Sequence, residues 1–417
     1  MVGEMKVEPS QPTKTTSKKS PLIVIFMTVF IDLIGFGIVI PLSPFLARKF
    51  DASAFEIGLL LAIYSAMQFL FSPFWGALSD RIGRRPVILI SLLGGAISYV
   101  GFGFGTELWV LFVSRAFAGI FGGNLSTAHA YMADITKPEE RSKGMGLIGA
   151  AFGIGFIFGP LIGAGLGIVG ESLGSEPPFG IGFSALGAAL LCLGNCVFAF
   201  FRLPESLPPE KRKQRAKRSR IKEVFHHLAK PVAGPLMWVY FLSGLAMAQM
   251  EAMLFPFVAD VFGWGLQISS YGFAYIGVLM AITQGGIVRK VMPKIGERQT
   301  LLVGLIMFAV SLFAISVSFN VAMLGVAVTI LAFGNGFMRP PNLGLISNAT
   351  PEDEQGAVMG VTNSLSSLGR IVGPVIGGVL YEKVSKGSPF IFAGLLAVLA
   401  AVLAARSTKR FSEARRV

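Results

Sequence analysis

The sequence predicts an all-α membrane protein whose twelve transmembrane helices form two pseudo-symmetric six-helix bundles. Three observations predict this class. Hydrophobic residues make up 53% of the 417 residues and charged residues only 14%, whereas a soluble domain carries about 25% charged residues. Long apolar segments alternate with short polar ones along the whole chain. The two halves also share a motif, and the 51 glycines suit closely packed membrane helices.

Each predicted span contains about 20 mostly apolar residues, the length that crosses the hydrocarbon core of a bilayer. In the first half the spans are 21–46, 55–79, 87–104, 108–133, 144–169 and 180–201. In the second half they are 233–260, 267–290, 299–318, 321–347, 357–382 and 388–406. The polar first 20 residues lack the apolar core and cleavage site of a signal peptide.

The spans divide the chain into five predicted parts. These are a disordered cytoplasmic tail (1–20), an N-terminal six-helix bundle (21–201), a basic cytoplasmic linker (202–232), a C-terminal six-helix bundle (233–406) and a cytoplasmic tail (407–417). The linker is predicted to be solvated and drawn to anionic lipid headgroups. It has no interleaved aromatic residues or fold motif that would indicate nucleic-acid binding.

A repeated motif supports the division into halves. Gly159-Pro160-Leu-Ile-Gly163 follows a Thr-Lys-Pro-Glu-Glu segment, and Gly373-Pro374-Val-Ile-Gly377 follows a Thr-Pro-Glu-Asp-Glu segment. The two Gly-Pro pairs lie 214 residues apart (373 − 159). A repeat of this period indicates two six-helix domains with a substrate site between them near the membrane midplane.

The distribution of Lys and Arg predicts that both termini are cytoplasmic. With that orientation, the basic segments of the chain fall on the cytoplasmic side, where positive charge accumulates. The outer loops keep only Arg48, Lys49, Lys383 and Lys386. Cys192 and Cys196 lie four residues apart in one apolar span, where cysteine behaves as a small apolar residue. Neither a disulfide nor a metal site is expected.

Away from the ends of the predicted spans, five charged residues remain: Asp32, Arg115, Glu251, Arg339 and Arg370. An ionisable group within a membrane is a functional candidate because burying its charge is costly. At about 1.5 Å per residue, Asp32 and Arg115 both lie near mid-depth, so they are predicted to pair. The pair either exchanges a proton as its surroundings change or forms a static salt bridge between spans 1 and 4.

A charged loop joins spans 2 and 3, with the sequence Gly76-Ala-Leu-Ser-Asp80-Arg81-Ile-Gly83-Arg84-Arg85-Pro86. Such a loop lies at the water surface, and its arginines indicate the cytoplasmic side. The string resembles the loop between spans 2 and 3 of the major facilitator superfamily of transporters. The alternative is that these arginines serve only as topology anchors.

Further motifs resemble the twelve-span drug:proton antiporters of that superfamily, and most closely the tetracycline-resistance type of efflux protein. The span-1 string from Asp32 to Pro44, the span-4 string Leu-Phe-Val-Ser-Arg115 and the span-2 string from Tyr64 to Pro73 carry the resemblance. So does the span-5 antiporter motif, with Gly155, Gly159, Pro160 and Gly163.

The resemblance implies roles for these residues. Asp32 and Arg115 would couple transport to proton movement. The loop would act as a conformational latch in which Asp80 faces the start of span 11 and an arginine reaches Asp134. The predicted latch residues are Gly76, Asp80, Arg81, Gly83, Arg84, Arg85 and Asp134. Tetracycline exporters carry an acidic residue where this chain has Ser98, a departure that argues against metal-chelated tetracycline as the substrate.

The substrate-binding candidates are Gln68, Asn124, Glu251 and Arg339. Glu251 would suit a cationic drug and Arg339 an anionic group, and either residue has a structural or interfacial role as its alternative. Methionines and Phe255 around Glu251 suit an adaptable apolar pocket.

The predicted function is proton-coupled export of amphipathic drugs or related small molecules by alternating access. The alternative is an importer, or a lipid-like or organic-ion transporter, on the same fold. No enzyme motif is found in the sequence, and the energy source is expected to be a proton gradient, with no cofactor. The expected partners are a small-molecule substrate and membrane lipids, without nucleic acid. The protein is expected to be a monomer in the cell membrane.

Overall fold

The computed structural model describes residues 20–136, 140–212, 233–351 and 354–414. Predictions for the first 19 residues, for 213–232 of the linker and for 415–417 of the C-terminal tail lie outside this range. We call the end of the molecule at which the first helix begins the inner end. The opposite end is the outer end. The inner end is the one predicted to be cytoplasmic.

Six long helices form the N-terminal half. They are α1 (Ser20–Arg48), α2 (Ala54–Ile82), α3 (Arg84–Gly103), α4 (Leu108–Ile135), α5 (Arg141–Leu173) and α6 (Phe183–Arg202). Helix α4 passes through a 3₁₀ turn, Gly122–Asn124, between its two α-helical segments. Ser53 begins α2 with a capping box, accepting a hydrogen bond from the Glu56 N–H at 3.2 Å, which satisfies a free donor of the first turn.

The C-terminal half contains α7 (Ala233–Phe262), α10 (Val321–Asn348), α11 (Gln355–Lys383) and α12 (Ser388–Ala414). Between α7 and α10, one 51-residue helical stretch, Leu266–Ser316, contains two spans. Gly296 interrupts it with φ 81°, a conformation that favours glycine. We therefore name 266–295 α8 and 297–316 α9. Eleven stretches of the described residues are long and apolar enough to span a membrane, and this break makes twelve.

Each half has its own apolar core. In the N-terminal half α1 packs against α5 and α6, and α3 packs against α4 and α6. In the C-terminal half α7 packs against α11 and α12, and α9 packs against α10 and α12. The main contacts between the halves are made by α2 with α11 and by α5 with α8. The predicted fold class is confirmed, and the surface between the halves is where a site shared by both would lie.

Candidate functional site

The charged loop between α2 and α3 forms a compact network at the inner end. Arg84 Nη1 lies 2.6 Å from Asp80 Oδ1, and Arg84 Nε lies 3.2 Å from Asp134 Oδ2 on α4. Nη1 also donates to Ser79 Oγ at 2.6 Å. The chain turns at Gly83 with φ 107°, which allows α3 to begin at Arg84. The family resemblance implied that an arginine of this loop reaches Asp134, whereas the pairing of Arg84 with Asp80 was not predicted, and the latch role itself stays a prediction.

The other predicted latch residues surround this network. Arg85 donates to the Phe200 carbonyl at 2.6 Å and lies over the Phe200 ring, while Arg81 is exposed. A Cβ on Gly76 would lie 3.9 Å from Ser126 Oγ. All of these contacts remain within the N-terminal half.

Glu205 is a member of this network that the motifs did not indicate. Its carboxylate accepts hydrogen bonds from the backbone N–H groups of Arg84, at 2.8 Å, and Arg85, at 3.1 Å. These are the first free donors of α3, where a negative charge is favoured by the helix dipole. In the sequence, Glu205 is visible only as an acidic residue just after span 6. Its role could not be predicted from this position because its partner, Arg84, lies 121 residues earlier in the chain.

The outer end is joined by a bridge between the two halves, formed by Arg48, Asp260 and Tyr381. Arg48 at the end of α1 donates to both carboxylate oxygens of Asp260 on α7, at 2.6 and 2.9 Å. Tyr381 on α11 donates its hydroxyl proton to Asp260 Oδ2 at 2.6 Å. We call these three residues the outer bridge. Sequence analysis assigned Arg48 only to an outer loop and did not identify this set.

Backbone contacts close the halves together beside the outer bridge. Gly58 of α2 lies so close to Pro374 of α11 that a Cβ would overlap the Pro374 carbonyl. A Cβ on Gly378 would lie 2.5 Å from the Ala54 carbonyl oxygen and 2.7 Å from the Cα of Phe55. Both approaches involve α2 and α11, and both require a residue without a side chain.

Aromatic rings from both halves also contact one another, nearer to the centre of the interface than the outer bridge. Phe156 of α5 and Phe273 of α8 have ring centroids 6.1 Å apart. Phe45 of α1 and Phe255 of α7 are 6.3 Å apart, and Phe255 lies 5.4 Å from Phe273. We call these four residues the aromatic row. It covers the middle of the interface from the outer end.

The inner ends of the helices at the interface are more open. Glycines near the inner ends of three of them have no neighbouring atom within 4 Å of a Cβ: Gly146, Gly149 and Gly153 on α5, Gly285 and Gly286 on α8, and Gly356 and Gly360 on α11. Among the described residues, the contacts between the halves given above lie towards the outer end, whereas these glycines face open space towards the inner end. The approach of Asp80 to the start of α11, which the family resemblance implies, stays a prediction.

Asp32 lies on α1 at mid-depth within the N-terminal half. It lines a small cavity together with Thr28 of α1, Leu92 of α3 and Ala128 of α4. The Cys192 sulfur lies 4.0 Å from Asp32 Oδ1, and both cysteines are free thiols. The carboxylate therefore faces the junction of α1, α3, α4 and α6.

Arg115 is 2% exposed, and its guanidinium carbon lies 4.6 Å from the centroid of the Tyr64 ring. Within the described residues, its Nε and Nη1 have no hydrogen-bond partner. Tyr99 interacts electrostatically with both Asp32 and Arg115. Tyr64 interacts with Asp32, Arg115 and also Arg370. Tyr64 therefore packs against Arg115, and both tyrosines lie within electrostatic range of the two predicted proton-coupling residues.

Gln68, a polar substrate candidate of the first half, lies beside Tyr64. Gln68 donates to the Gly122 carbonyl at 2.9 Å and to the Tyr64 hydroxyl at 3.3 Å, so it connects α2 to the 3₁₀ turn of α4. The side chain of Asn124 lies outside the described residues. Ser98 donates to the Gly94 carbonyl at 2.7 Å and is buried.

The antiporter motif brings α5 onto α1. A Cβ on Gly159 would lie 2.7 Å from the Cα of Gly37, and one on Gly155 would lie 2.9 Å from the Leu33 Cβ. Gly163 packs against Ile38, and Pro160 is buried in α5. The motif thus sets the spacing between these helices close to Asp32, whatever further role it has in transport.

The charged candidates of the second half form a group at the interface. Glu251 on α7 interacts electrostatically with Arg339 on α10 and Arg370 on α11. Arg370 also interacts with Tyr64 and Tyr240. Asn335, one turn from Arg339, donates to the sulfurs of Met247 and Met280 at 3.5 and 3.7 Å. Among the described residues, no cluster of three or more His, Cys, Asp or Glu side chains is arranged to hold a metal.

Comparison with known families and proteins agrees with this architecture. The model of the Major Facilitator Superfamily matches residues 25–294 and 290–415. The tetracycline resistance protein, class C, of Escherichia coli is 34% identical, with 86% of this chain and 89% of that protein covered. Multidrug resistance protein 2 of Bacillus subtilis is 30% identical, with 92% and 94% covered.

Two solved structures are similar in fold. The human organic anion transporter MFSD10 is 26% identical, with a TM-score of 0.70 and coverage of 94% of this chain and all of that one. A bacterial homologue of the human lysosomal transporter Spinster has a TM-score of 0.77 at 15% identity, with 96% and 99% covered. At that identity the second likeness concerns the fold alone.

Proposed function

Since the chain belongs to the Major Facilitator Superfamily, we propose that it exports amphipathic small molecules by proton-coupled alternating access. It is a multi-pass membrane transporter and not an enzyme. The observation that carries the proposal is the asymmetry between the two ends of the interface. The halves are bridged at the outer end and more open towards the inner end, and alternating access requires two such arrangements to interchange.

Relatives favour export of drugs. The matched tetracycline and multidrug resistance proteins are named for resistance, and each is covered over most of its length. Resistance by a transporter requires movement of the compound out of the cell. The site then receives its substrate from the inner, cytoplasmic end.

Asp32 is the residue proposed to carry the proton. It lines a small cavity between helices of the N-terminal half, and the positive charge of Arg115 acts on the same pair of tyrosines. A change in the helix packing around α1 would alter the hydration and the charge environment of the carboxylate. Both of these affect how readily it binds a proton. Arg115 would stabilise the charged form of Asp32 in one of the two states.

The proposal includes a location and partners. The protein would lie in the cell membrane as a monomer, with both termini in the cytoplasm and the basic linker near anionic headgroups. Its partners would be membrane lipids and one small-molecule substrate. The proton gradient would supply the energy.

The test is the Asp32→Asn variant in everted membrane vesicles that hold a pH gradient. We expect proton-driven accumulation of drug to be abolished because an amide cannot carry the proton, while the amount of protein in the membrane stays the same. Asp51→Asn is the matched control, since Asp51 is exposed in the loop after α1 and adopts φ 53°, which asparagine also tolerates. Undiminished accumulation in Asp32→Asn would exclude the coupling role.

Arg115→Ala tests the second member of the pair. We expect it to be as inactive as Asp32→Asn, because Asp32 loses the positive charge that stabilises its ionised form. Normal accumulation in Arg115→Ala would mean that the pair does not couple transport to protons.

A second candidate is an importer or an organic-ion transporter on the same fold. The likeness to the human organic anion transporter MFSD10 supports this second candidate function. Vesicles of the two orientations distinguish the directions. An exporter accumulates substrate in everted vesicles when the lumen is acidic, and a proton-coupled importer does so in right-side-out vesicles when the outside is acidic.

A further inference from the structure

We propose that Arg339 and Arg370 together form the binding site for an anionic group of the substrate. The exported molecule would then be an amphipathic organic anion, such as an aromatic carboxylate or sulfonate. This inference rests on the proposed transport function and names the substrate class of its central site.

The position of Arg370 follows from the packing of α11 on α7. A Cβ on Gly369 would lie 3.1 Å from the Leu245 nitrogen, and one on Gly373 would lie 3.1 Å from the Gln249 nitrogen. The two helices are therefore parallel and in a constant register, which puts the backbone of Arg370 at the depth of residue 246.

The guanidinium of Arg370 lies nearer to the inner end than the backbone of Arg370 does. Nη1 donates to Ser366 Oγ and Nη2 donates to Ser367 Oγ, both at 3.1 Å. These serines precede Arg370 by about one turn, so the charge lies roughly 5 Å further inwards. Both hydroxyls are neutral acceptors, and they leave the positive charge uncompensated.

Arg339 lies at a similar depth on α10. Helix α10 runs antiparallel to α7, and the hydrogen bond from Asn335 to Met247 aligns these two residues. Arg339 is one turn closer to the inner end, at the depth of about residue 243 of α7. The guanidinium of Arg370 and the backbone of Arg339 thus lie at nearly the same depth, about that of residue 243 of α7.

The local charge balance favours an anion. Arg370 lies within electrostatic range of both Arg339 and Glu251. Among the described residues, neither arginine has a carboxylate within 4.0 Å. Two guanidinium groups and one carboxylate leave one net positive charge at membrane depth, where an unbalanced charge is costly. An anionic ligand shared by the two arginines would balance it.

The surroundings define the rest of the substrate. Arg339 and Arg370 are partly exposed, and Met247 and Met280 lie around Asn335, one turn further outwards than Arg339. The aromatic row closes the site from the outer end, and α11 has open space around Gly360 on the inner side. An anion would therefore enter from the inner end with its apolar body towards the aromatic row. A purely cationic drug would meet the two arginines first.

Transport of two dyes that share a xanthene ring system tests the proposal. Proteoliposomes with an imposed pH gradient would be supplied with fluorescein, which is anionic, or rhodamine 123, which is cationic. We expect the wild-type protein to transport fluorescein. Arg339→Gln and Arg370→Gln should each raise the KM for fluorescein about tenfold, the equivalent of one charge-assisted hydrogen bond, and change that for rhodamine 123 less than about twofold.

Two further variants complete the design. Glu251→Gln removes the nearby negative charge and should lower the KM for fluorescein, by about threefold if the charge is partly screened. Arg289→Gln, an exposed arginine near the inner end of α8, is the matched control and should change neither KM. Melting temperatures of the purified variants establish that each is folded.

The outcomes distinguish a failure of the proposed anion site from a failure of the proposed transport function. Transport of rhodamine 123 without fluorescein by the wild type would overturn the anion site and leave the transporter function in place. Equal increases of both KM values in Arg339→Gln and Arg370→Gln would also overturn it. If the wild type transports neither dye and no substrate-dependent proton flux occurs, the proposed transport function itself fails.

Discussion

The two ends of the interface are held by different kinds of contact. At the outer end the interactions cross from one half to the other: Arg48 of α1 binds Asp260 of α7, and Gly58 of α2 touches Pro374 of α11. At the inner end the strongest charged contacts stay within the N-terminal half, where Arg84 binds Asp80 and Asp134. The outer contacts must break for the molecule to open outwards, and the inner network can move as one body.

Residues at the outer end are therefore expected to set the equilibrium between conformations. Residues of the inner network are expected to stabilise the N-terminal half itself. A substitution at the outer end should change how often the outer side opens. A substitution in the inner network should first change the stability or the movement of the N-terminal half. Substitutions at the two ends test that distinction.

Gly58→Ala should have the largest effect. Its Cβ would overlap the Pro374 carbonyl, and overpacking of this kind costs about 1–3 kcal/mol. The outer-closed state would lose that amount relative to the outer-open state, so transport should fall roughly tenfold or more. The measurement is the transport rate, combined with labelling of Leu61→Cys by an impermeant maleimide from the outer side, since Leu61 packs against both cores.

Gly165→Ala is the matched control for that experiment. Gly165 lies in the outer half of α5, and a Cβ there would have no neighbour within 4 Å. We expect wild-type transport and labelling in this variant. Equal behaviour of the two alanine variants would show that the close approach of α2 and α11 does not limit transport.

Asp260→Asn should have a smaller effect of the same kind. It removes the charge that binds Arg48 and accepts from Tyr381, while the side chains of Arg48 and Asp260 are 29% and 24% exposed. A pair so close to water contributes about 1 kcal/mol, so we expect roughly fivefold faster labelling of Leu61→Cys. Lys383→Gln, which removes an ion pair to Glu382 on the same helix, should leave labelling unchanged.

The exchanged pair, Arg48→Asp with Asp260→Arg, separates the bridge from a general charge effect. It should restore most of the wild-type labelling rate. If the exchanged pair labels as fast as Asp260→Asn, the outer bridge does not hold the halves together.

The sequence predicted the inner end better than the outer end for a physical reason. Residues of the inner network lie mostly in one short loop, so Asp80 and Arg84 can be related by spacing along the chain. The residues of the outer bridge come from three helices, and Arg48 and Asp260 are 212 residues apart. Their pairing depends on the packing of two domains, which periodicity and composition do not specify.

The centre of the molecule was predicted in part. Charged residues at membrane depth identified Asp32, Arg115, Glu251 and Arg339 because charge is rare in an apolar span. The same criterion could not identify Tyr64, since a tyrosine in a span is ordinary, although its ring packs against the guanidinium of Arg115. The depths of Arg339 and Arg370 relative to Glu251 follow from the registers of α10 and α11 on α7.

Arg84→Ala tests the inner end and should reduce transport by about threefold. It removes ion pairs to Asp80 and Asp134 and the hydrogen bond to Ser79, and leaves two carboxylates close together. The loss should concern the maximal rate more than KM, since the network is proposed to govern movement between states. Labelling of Leu61→Cys from the outer side should stay near the wild-type rate.

Arg202→Ala serves as the control for Arg84→Ala in the charged loop, because Arg202 is exposed at the same inner end of the N-terminal half. We expect its transport kinetics to match the wild type. A raised KM with a normal maximal rate in Arg84→Ala would instead assign this loop to the binding site and contradict the proposed location of the substrate between the two halves.

Glu205→Gln should have the smallest effect, and it isolates stability from transport. Its carboxylate accepts from the first two N–H groups of α3, where Gly83 provides no side-chain cap. Loss of the negative charge at this helix end costs about 0.5–1 kcal/mol. We expect a slightly lower melting temperature of the purified protein and transport within about twofold of the wild type, a change of under 0.5 kcal/mol in the barrier.

Glu210 is an exposed residue of the same linker, and Glu210→Gln should not change the melting temperature. If the two variants melt alike, Glu205 does not stabilise the start of α3. If Glu205→Gln slows transport as much as Asp260→Asn does, the inner network is part of the conformational equilibrium and the distinction between the two ends is lost.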